Sequence, residues 1–147
     1  SVIVPTYNRA DLIAATLRSV FAQAVAPIEV IVVDDGSSDN TSEVVATFAP
    51  RVRYVRVANG GVAAARNHGA GLASGQWLAF TDSDDLWHPR KLEVQLAALE
   101  QCPAARWSVT GCDIIDGAGE PLPGPAGWRG VFGVFAAEGV EPGEFFA

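Results

Sequence analysis

Methionine is absent from this chain of 147 residues, lysine occurs once, at Lys91, and cysteine and histidine occur twice each. Each scarcity removes a class of chemistry. Cys102 and Cys112 show no CxxC spacing, the signature of a zinc ribbon or a redox pair, which leaves a disulfide or metal pair only as the alternative reading. Both are expected to be buried thiols in a reducing compartment. His68 and His88 have no metal-ligand spacing and read as structural residues. Basic residues number 10 against 17 acidic ones, are scattered, and leave a net charge of −7. That balance excludes a nucleic-acid surface, which needs clustered Lys and Arg. No apolar run approaches the ~20 residues that span a bilayer. The longest, Ile28 to Val33, is strand-sized and contains Glu29, so the chain reads as soluble. It opens at Ser1 in an apolar stretch without an initiator Met, a charged leader or a cleavage site. Further protein is therefore expected upstream.

What is present is a globular balance, 49% hydrophobic and 18% charged, in a length that buries one core. Val2 to Val4 form a first buried strand ending at Pro5. Asn8 reads as the cap of a helix from about 9 to 23, with Asp11 placed as in a capping box. Leu12, Ile13, Thr16, Leu17, Val20 and Phe21 make its buried stripe. Ile28 to Val33 is a β-branched run of the kind covered on both faces in a parallel sheet. Asp39 can cap a short helix carrying Val44, Val45 and Phe48. A third strand follows over Val52 to Val57, then a turn at Asn59-Gly60-Gly61 into an Ala-rich helix over 62–73. Trp77 to Phe80 is a fourth strand. Pro89 suits the first turn of a helix with Leu92, Leu96 and Leu99, and a fifth strand spans about 106–115, closed by a turn at 116–119. The alternation predicts an α/β fold, a mainly parallel sheet between helical layers with right-handed crossovers. Residues 120–147, rich in Gly, Pro and aromatics, predict no regular element.

In such a sheet, ligands bind beyond the carboxyl ends of the strands, where strand order reverses. Strand one ends in Pro5-Thr6-Tyr7-Asn8, strand two in Asp34-Asp35-Gly36-Ser37, and strand four in Thr81-Asp82-Ser83-Asp84-Asp85. Parallel strands bring all three to one rim. Five carboxylates there repel one another and call for solvent or a cation. Hard cations such as Mg²⁺ and Mn²⁺ take oxygen ligands and are often shared between carboxylates and substrate phosphates. An acidic chain can bind an anionic diphosphate this way. Taken singly, the DxD, the DDGS and the Asn-Gly-Gly are turns, Tyr7 is a packing aromatic, and Arg66 is a surface residue. Their order and placement carry the reading.

That ordered set resembles the family 2 glycosyltransferases of the GT-A fold, over about residues 1–100. The matching segments are SVIVPTYNRADLIAATLRSVFAQ, IEVIVVDDGSSDNT and NGGVAAARNHGAGLASGQWLAFTDSDDLWHPRKLE. The resemblance implies a Rossmann-like three-layer α/β/α sandwich, here without the C-terminal part of the domain. It implies a nucleoside-diphosphate sugar as donor, a UDP-sugar first, and a saccharide, lipid or protein hydroxyl as acceptor. Thr6 and Tyr7 would line the base pocket, Asp35 would accept a hydrogen bond from the base, and Asp34 would buttress the loop. Arg66 would approach the pyrophosphate. Asp82-Ser83-Asp84 would be the DxD motif, with Asp84 the main ligand of Mn²⁺ or Mg²⁺ and Asp82 near the ribose or the metal. Trp87 and Pro89 would shape the wall beyond it. Residues 1–119 would form the donor-binding part, and 120–147 the start of the acceptor region.

The family's general base, an Asp or Glu well after the DxD, has no counterpart in matching context here. Glu138, Glu141 and Glu144 are the residues available. A nucleotide-sugar-binding piece without turnover is thus the alternative to an inverting, metal-dependent transferase. A haloacid-dehalogenase-like phosphohydrolase also places a DxD beside Mg²⁺, but it needs a nucleophilic Asp at strand one, where this chain has Pro-Thr-Tyr. Nucleotide sugars are mostly cytosolic, so the expected location is the cytoplasm, with docking to the inner membrane face through absent segments.

Overall fold

The computed structural model of the chain describes residues 1–116 and 131–135. Contacts divide it into two compact units, one of residues 1–89 and the other beginning at Arg90. The expected boundary at residue 119 lies outside the described residues.

The first unit runs β1 (Val2–Thr6), α1 (Ile13–Phe21), β2 (Val30–Asp34), α2 (Thr41–Ala46), β3 (Arg53–Arg56), α3 (Val62–Leu72) and β4 (Ala79–Phe80). The four strands form one parallel sheet in the order β3-β2-β1-β4. The chain steps outward from β1 to β3, then returns past β1 to β4. Strand order therefore reverses between β1 and β4. Right-handed crossovers place α1 and α2 on one face and α3 on the other, in keeping with α1 packing on α2 and α3 on β1 and β2.

β1 and β2 are buried along their whole length, as their unbroken apolar runs require when helices cover both faces. Ile13, Thr16, Leu17 and Val20 form the buried stripe of α1, whereas Leu12, just before the helix, is exposed. β3 is an edge strand and tolerates polar residues at both ends.

Pro5 has a specific place in this sheet. In a parallel strand each residue turns both its N–H and its C=O toward one neighbour, alternating along the chain. Val2 N–H bonds the Glu29 carbonyl and the Thr6 carbonyl accepts from Asp35 N–H, so these face β2. Ile3 accepts from Thr81 N–H, so Ile3 and Pro5 face β4. The β4 ladder ends at the pair Ile3–Phe80, and the donor that proline lacks is never needed.

On the other face, Ile31, Val33 and Ala65 form a buried cluster with Val57, Leu72 and Ala73 against it. Gly69 lets α3 approach. A Cβ there would meet Ile3 Cγ2 at 2.5 Å and Val33 Cγ2 at 3.1 Å, both in the core, whereas at Gly71 nothing lies within 4 Å. Gly69→Ala should therefore cost about 1–3 kcal/mol through overpacking, more than the ~1 kcal/mol that alanine gains in helix propensity. Gly71→Ala should be neutral or stabilising. Urea midpoints of the two variants measure this, and a raised midpoint for Gly69→Ala would show that the helix can ride higher on the sheet.

The second unit contains α4 (Lys91–Gln101), β5 (Trp107–Thr110) and β6 (Val131–Phe135). Its strands form a separate antiparallel pair, Trp107 opposite Phe135 and Thr110 opposite Val131. The fifth strand thus does not extend the parallel sheet, and a strand exists within the stretch expected to be irregular. Cys102 and Cys112 are exposed, not buried, because each falls beyond the end of an element. No helix among the described residues is long and apolar enough to cross a membrane.

Candidate functional site

The tips of β1 and β2 are joined directly, for Asp35 N–H donates to the Thr6 carbonyl at 2.9 Å. Asn8 then takes a left-handed conformation, φ +50°, which asparagine tolerates better than most residues. Its side chain does not cap α1. Asn8 Oδ1 accepts from Ser38 N–H at 2.8 Å and Asp39 N–H at 3.4 Å, while its own N–H donates to Ser37 Oγ. Arg9 N–H donates to Thr41 Oγ1 and Ala10 N–H to Asp39 Oδ2. The first α1 residue is Ile13, with no side-chain cap, after a turn closed on the Arg9 carbonyl. The expected capping box is replaced by a lashing between the β1 and β2 loops. Asp39 does serve α2, accepting from Thr41 N–H at 3.0 Å.

Asp34 is fully buried and buttresses its loop, as expected. It accepts from Ser37 N–H at 2.7 Å and from the Tyr54 hydroxyl. Burial first, and the bond to Asp34 second, push that phenol up to about 12. Arg56 donates to the Ser37 carbonyl and braces the same loop from β3. Asp35 is also buried. Its two carboxylate oxygens accept from Gly60 N–H at 2.7 Å and Gly61 N–H at 2.8 Å, and Asn59 Nδ2 donates to its carbonyl. Asn59-Gly60-Gly61 is therefore a turn gripped by Asp35, with Gly61 at φ +89°. A carboxylate has about four lone-pair positions, so Asp35 keeps acceptor capacity after this grip.

The third tip follows β4. Thr81 N–H donates to the Ile3 carbonyl, and Asp85 N–H closes a turn on the Asp82 carbonyl. Ser83 is buried and Asp84 exposed. Arg66, from α3, pairs with Asp82, and Arg9, from the β1 loop, pairs with Asp84 at 3.4 Å. Beyond the turn, buried Trp87 donates its N–H to Ser19 Oγ, Gln23 Nε2 donates to the His88 carbonyl, and Ala24 N–H to the Pro89 carbonyl. The end of α1 thus anchors the wall after the DxD. The return of the chain from β3 past β1 to β4 therefore brings Thr6, Tyr7, Asp35, Arg66 and Asp82-Ser83-Asp84 to the same rim.

Hydrogen bonds and arginines take part in balancing the five carboxylates. Asp34 and Asp35 are satisfied by hydrogen bonds, and Asp82 and Asp84 each by an arginine. Burial first, then the charges of Asp82 and Asp84, raise the Asp85 pKa. Tyr7 stands 48% exposed, open enough to offer a ring face. The Thr6 hydroxyl beside it is buried and has no hydrogen-bond partner among the described residues.

Among the described residues no three His, Cys, Asp or Glu side chains converge as a metal cage. Asp82 and Asp84 supply two accessible carboxylates, a donor set suited to an ion that takes its remaining ligands from water and a diphosphate. The sequence reading missed Arg9, Tyr54, Ser19 and Gln23. Each acts over 20 or more residues of separation, where local pattern carries no signal.

Comparison with known proteins agrees with this arrangement. An uncharacterized glycosyltransferase of Rickettsia conorii is 42% identical over 103 residues, 69% of this chain and 17% of that protein. Staphylococcus aureus TarS 1–349, solved in complex with UDP-GlcNAc, superposes with a TM-score of 0.70 at 30% identity, covering 82% of this chain and 36% of the other. The mannosyltransferase PcManGT from Pyrobaculum calidifontis, in complex with GDP-Man and Mn²⁺, gives 0.64 at 32% identity, covering 77% and 35%. The chain thus spans well under half the length of each of these proteins. The family model for glycosyl transferase family 2 matches residues 1–114. With its GT-A sheet and strand-end aspartates, the chain belongs to glycosyl transferase family 2.

Proposed function

We propose that this chain carries the donor site of a transferase that moves a sugar from a nucleoside-diphosphate sugar, a UDP-sugar first, to an acceptor hydroxyl of a saccharide, lipid or protein. The observation that supports it most is the meeting of three strand tips beside the point where strand order reverses. Ligands of open α/β sheets bind there.

In this reading the Tyr7 ring lies against the base, and the free Thr6 hydroxyl and the remaining lone pairs of Asp35 take its polar edge. Arg66 offers a forked donor to the pyrophosphate. Asp84, with Asp82, holds Mn²⁺ or Mg²⁺, and Ser83 lies between them against the donor. The ion would supply charge neutralisation for the departing diphosphate. The chain's own contribution is orientation. The acceptor oxygen forms its bond to the anomeric carbon as the bond to the diphosphate oxygen breaks, a single displacement that inverts the centre. The acceptor proton passes to a general base outside the residues assigned here. Glu138, Glu141 and Glu144 lie outside the described residues. The reaction belongs in the cytoplasm, where nucleotide sugars are mostly found, with the membrane approached through other segments.

Titration calorimetry of the chain against UDP, GDP and other nucleoside diphosphates, with and without Mn²⁺, tests the reading. At least one should bind, and Mn²⁺ should strengthen that binding by about tenfold or more, the scale of a charge-neutralising ion. Binding no stronger than that of inorganic diphosphate for every nucleotide would sink it. Donor hydrolysis by the same chain would separate turnover from binding alone.

A further inference from the structure

We infer that Arg9 is a positioning residue of the DxD loop: it holds Asp84 in the ligand-free chain and yields it when a cation binds. This rests on the proposal that Asp84 is a metal ligand.

The backbone that presents Arg9 is fixed more firmly than a helix entry needs. Asn8 accepts the strain of φ +50°. The β2 loop and α2 then fasten three consecutive residues, through Ser37 Oγ to Asn8 N–H, Thr41 Oγ1 to Arg9 N–H and Asp39 Oδ2 to Ala10 N–H. None of these bonds starts α1, whose first residue is Ile13. Their effect is to set where the Arg9 side chain leaves the rim. That side chain folds back, donating from one terminal nitrogen to the Asn8 carbonyl at 3.2 Å, and reaches Asp84 through Nε.

The pair it makes is built to exchange. Its side chains are 44% and 42% exposed, and the contact is long, at 3.4 Å. An exposed pair of this kind is weak, so it orders the loop without committing the carboxylate. Asp84 cannot keep the guanidinium and bind a cation equally well through the same oxygen. Arg9 keeps its charge when displaced and remains at the rim as a donor for an anion. The exchange conserves pairing. A cation and a diphosphate arrive together, the carboxylate passes to the cation, and the guanidinium passes to the phosphate oxygens.

Mn²⁺ binding, followed by electron paramagnetic resonance of the free ion with and without UDP, tests this in the wild type, R9Q, R9K and D84A. Without UDP and at low salt, R9Q should bind Mn²⁺ more tightly by up to about fivefold, the ratio equivalent to the strength of an exposed pair. R9K, which keeps the charge, should stay near the wild type. UDP affinity in saturating Mn²⁺ should fall several-fold in R9Q, and added salt should shrink both differences. R9Q binding Mn²⁺ no more tightly than the wild type, while D84A loses it, overturns the inference and leaves the metal site standing. D84A matching the wild type in UDP-stimulated Mn²⁺ binding overturns the metal site and the inference together.

Discussion

Replacing Asp84 with alanine should cut Mn²⁺-dependent UDP affinity by about 100-fold or more, while UDP binding in EDTA does not weaken. Loss of a partner that merely orients a metal ligand already costs about 10–100-fold in metal affinity, and here one of only two carboxylates is removed. The fold should not notice. Asp84 is exposed, and the ion pair it loses with Arg9 is an open one, of the kind that contributes about 1 kcal/mol at most. A thermal midpoint near that of the wild type, together with lost metal dependence, is the expected pair of results. Unchanged UDP affinity in Mn²⁺ would remove the metal from Asp84.

Asp35→Ala should act on binding and stability together, and this is where it differs from Asp84→Ala. Its carboxylate accepts from Gly60 and Gly61 N–H at 2.7 and 2.8 Å in a buried position. Hydrogen bonds to a charged group contribute about 1.5–3 kcal/mol each, so a thermal midpoint lowered by several degrees is expected. Nucleoside affinity in EDTA should fall tenfold or more, since the base would lose its acceptor and the turn beside it its anchor. Asp35→Asn separates the two. One acceptor oxygen remains for the turn, so stability should recover in part, whereas an amide nitrogen facing a base imide N–H would still repel it. Full recovery of nucleoside binding in Asp35→Asn would mean that Asp35 serves only the Gly60-Gly61 turn.

Much of the first unit was legible because its signals are local. Unbroken β-branched runs at Val2 to Val4 and Val30 to Val33 have few stable places other than the centre of a covered parallel sheet, and both strands are buried throughout. Parallel direction then carries any chemistry at the strand ends to one side, and that placed Thr6, Asp35 and Asp82 together. The errors came where a residue has two local solutions or a distant partner. An asparagine after a strand can cap a helix or turn left-handed, and only the amides of Ser38 and Asp39 decide between them at Asn8. The alternating run at Trp107 to Thr110 announces a strand but not its neighbour, which is Val131–Phe135 in a stretch dominated by glycine and proline. Arg9 reaches an aspartate 75 positions along the chain, a meeting that exists only after the fold is complete.

A proline without a donor also marks a depth. Pro5 faces β4 without a donor, and the ladder with β4 ends at Ile3, while β1 and β2 stay paired to Thr6 and Asp34. Three residues at ~3.3 Å each leave a ledge of roughly 10 Å between neighbouring strand ends. The ledge is cut into the backbone itself. Exchanging side chains along it would change which base or ion is preferred but would not make it shallower.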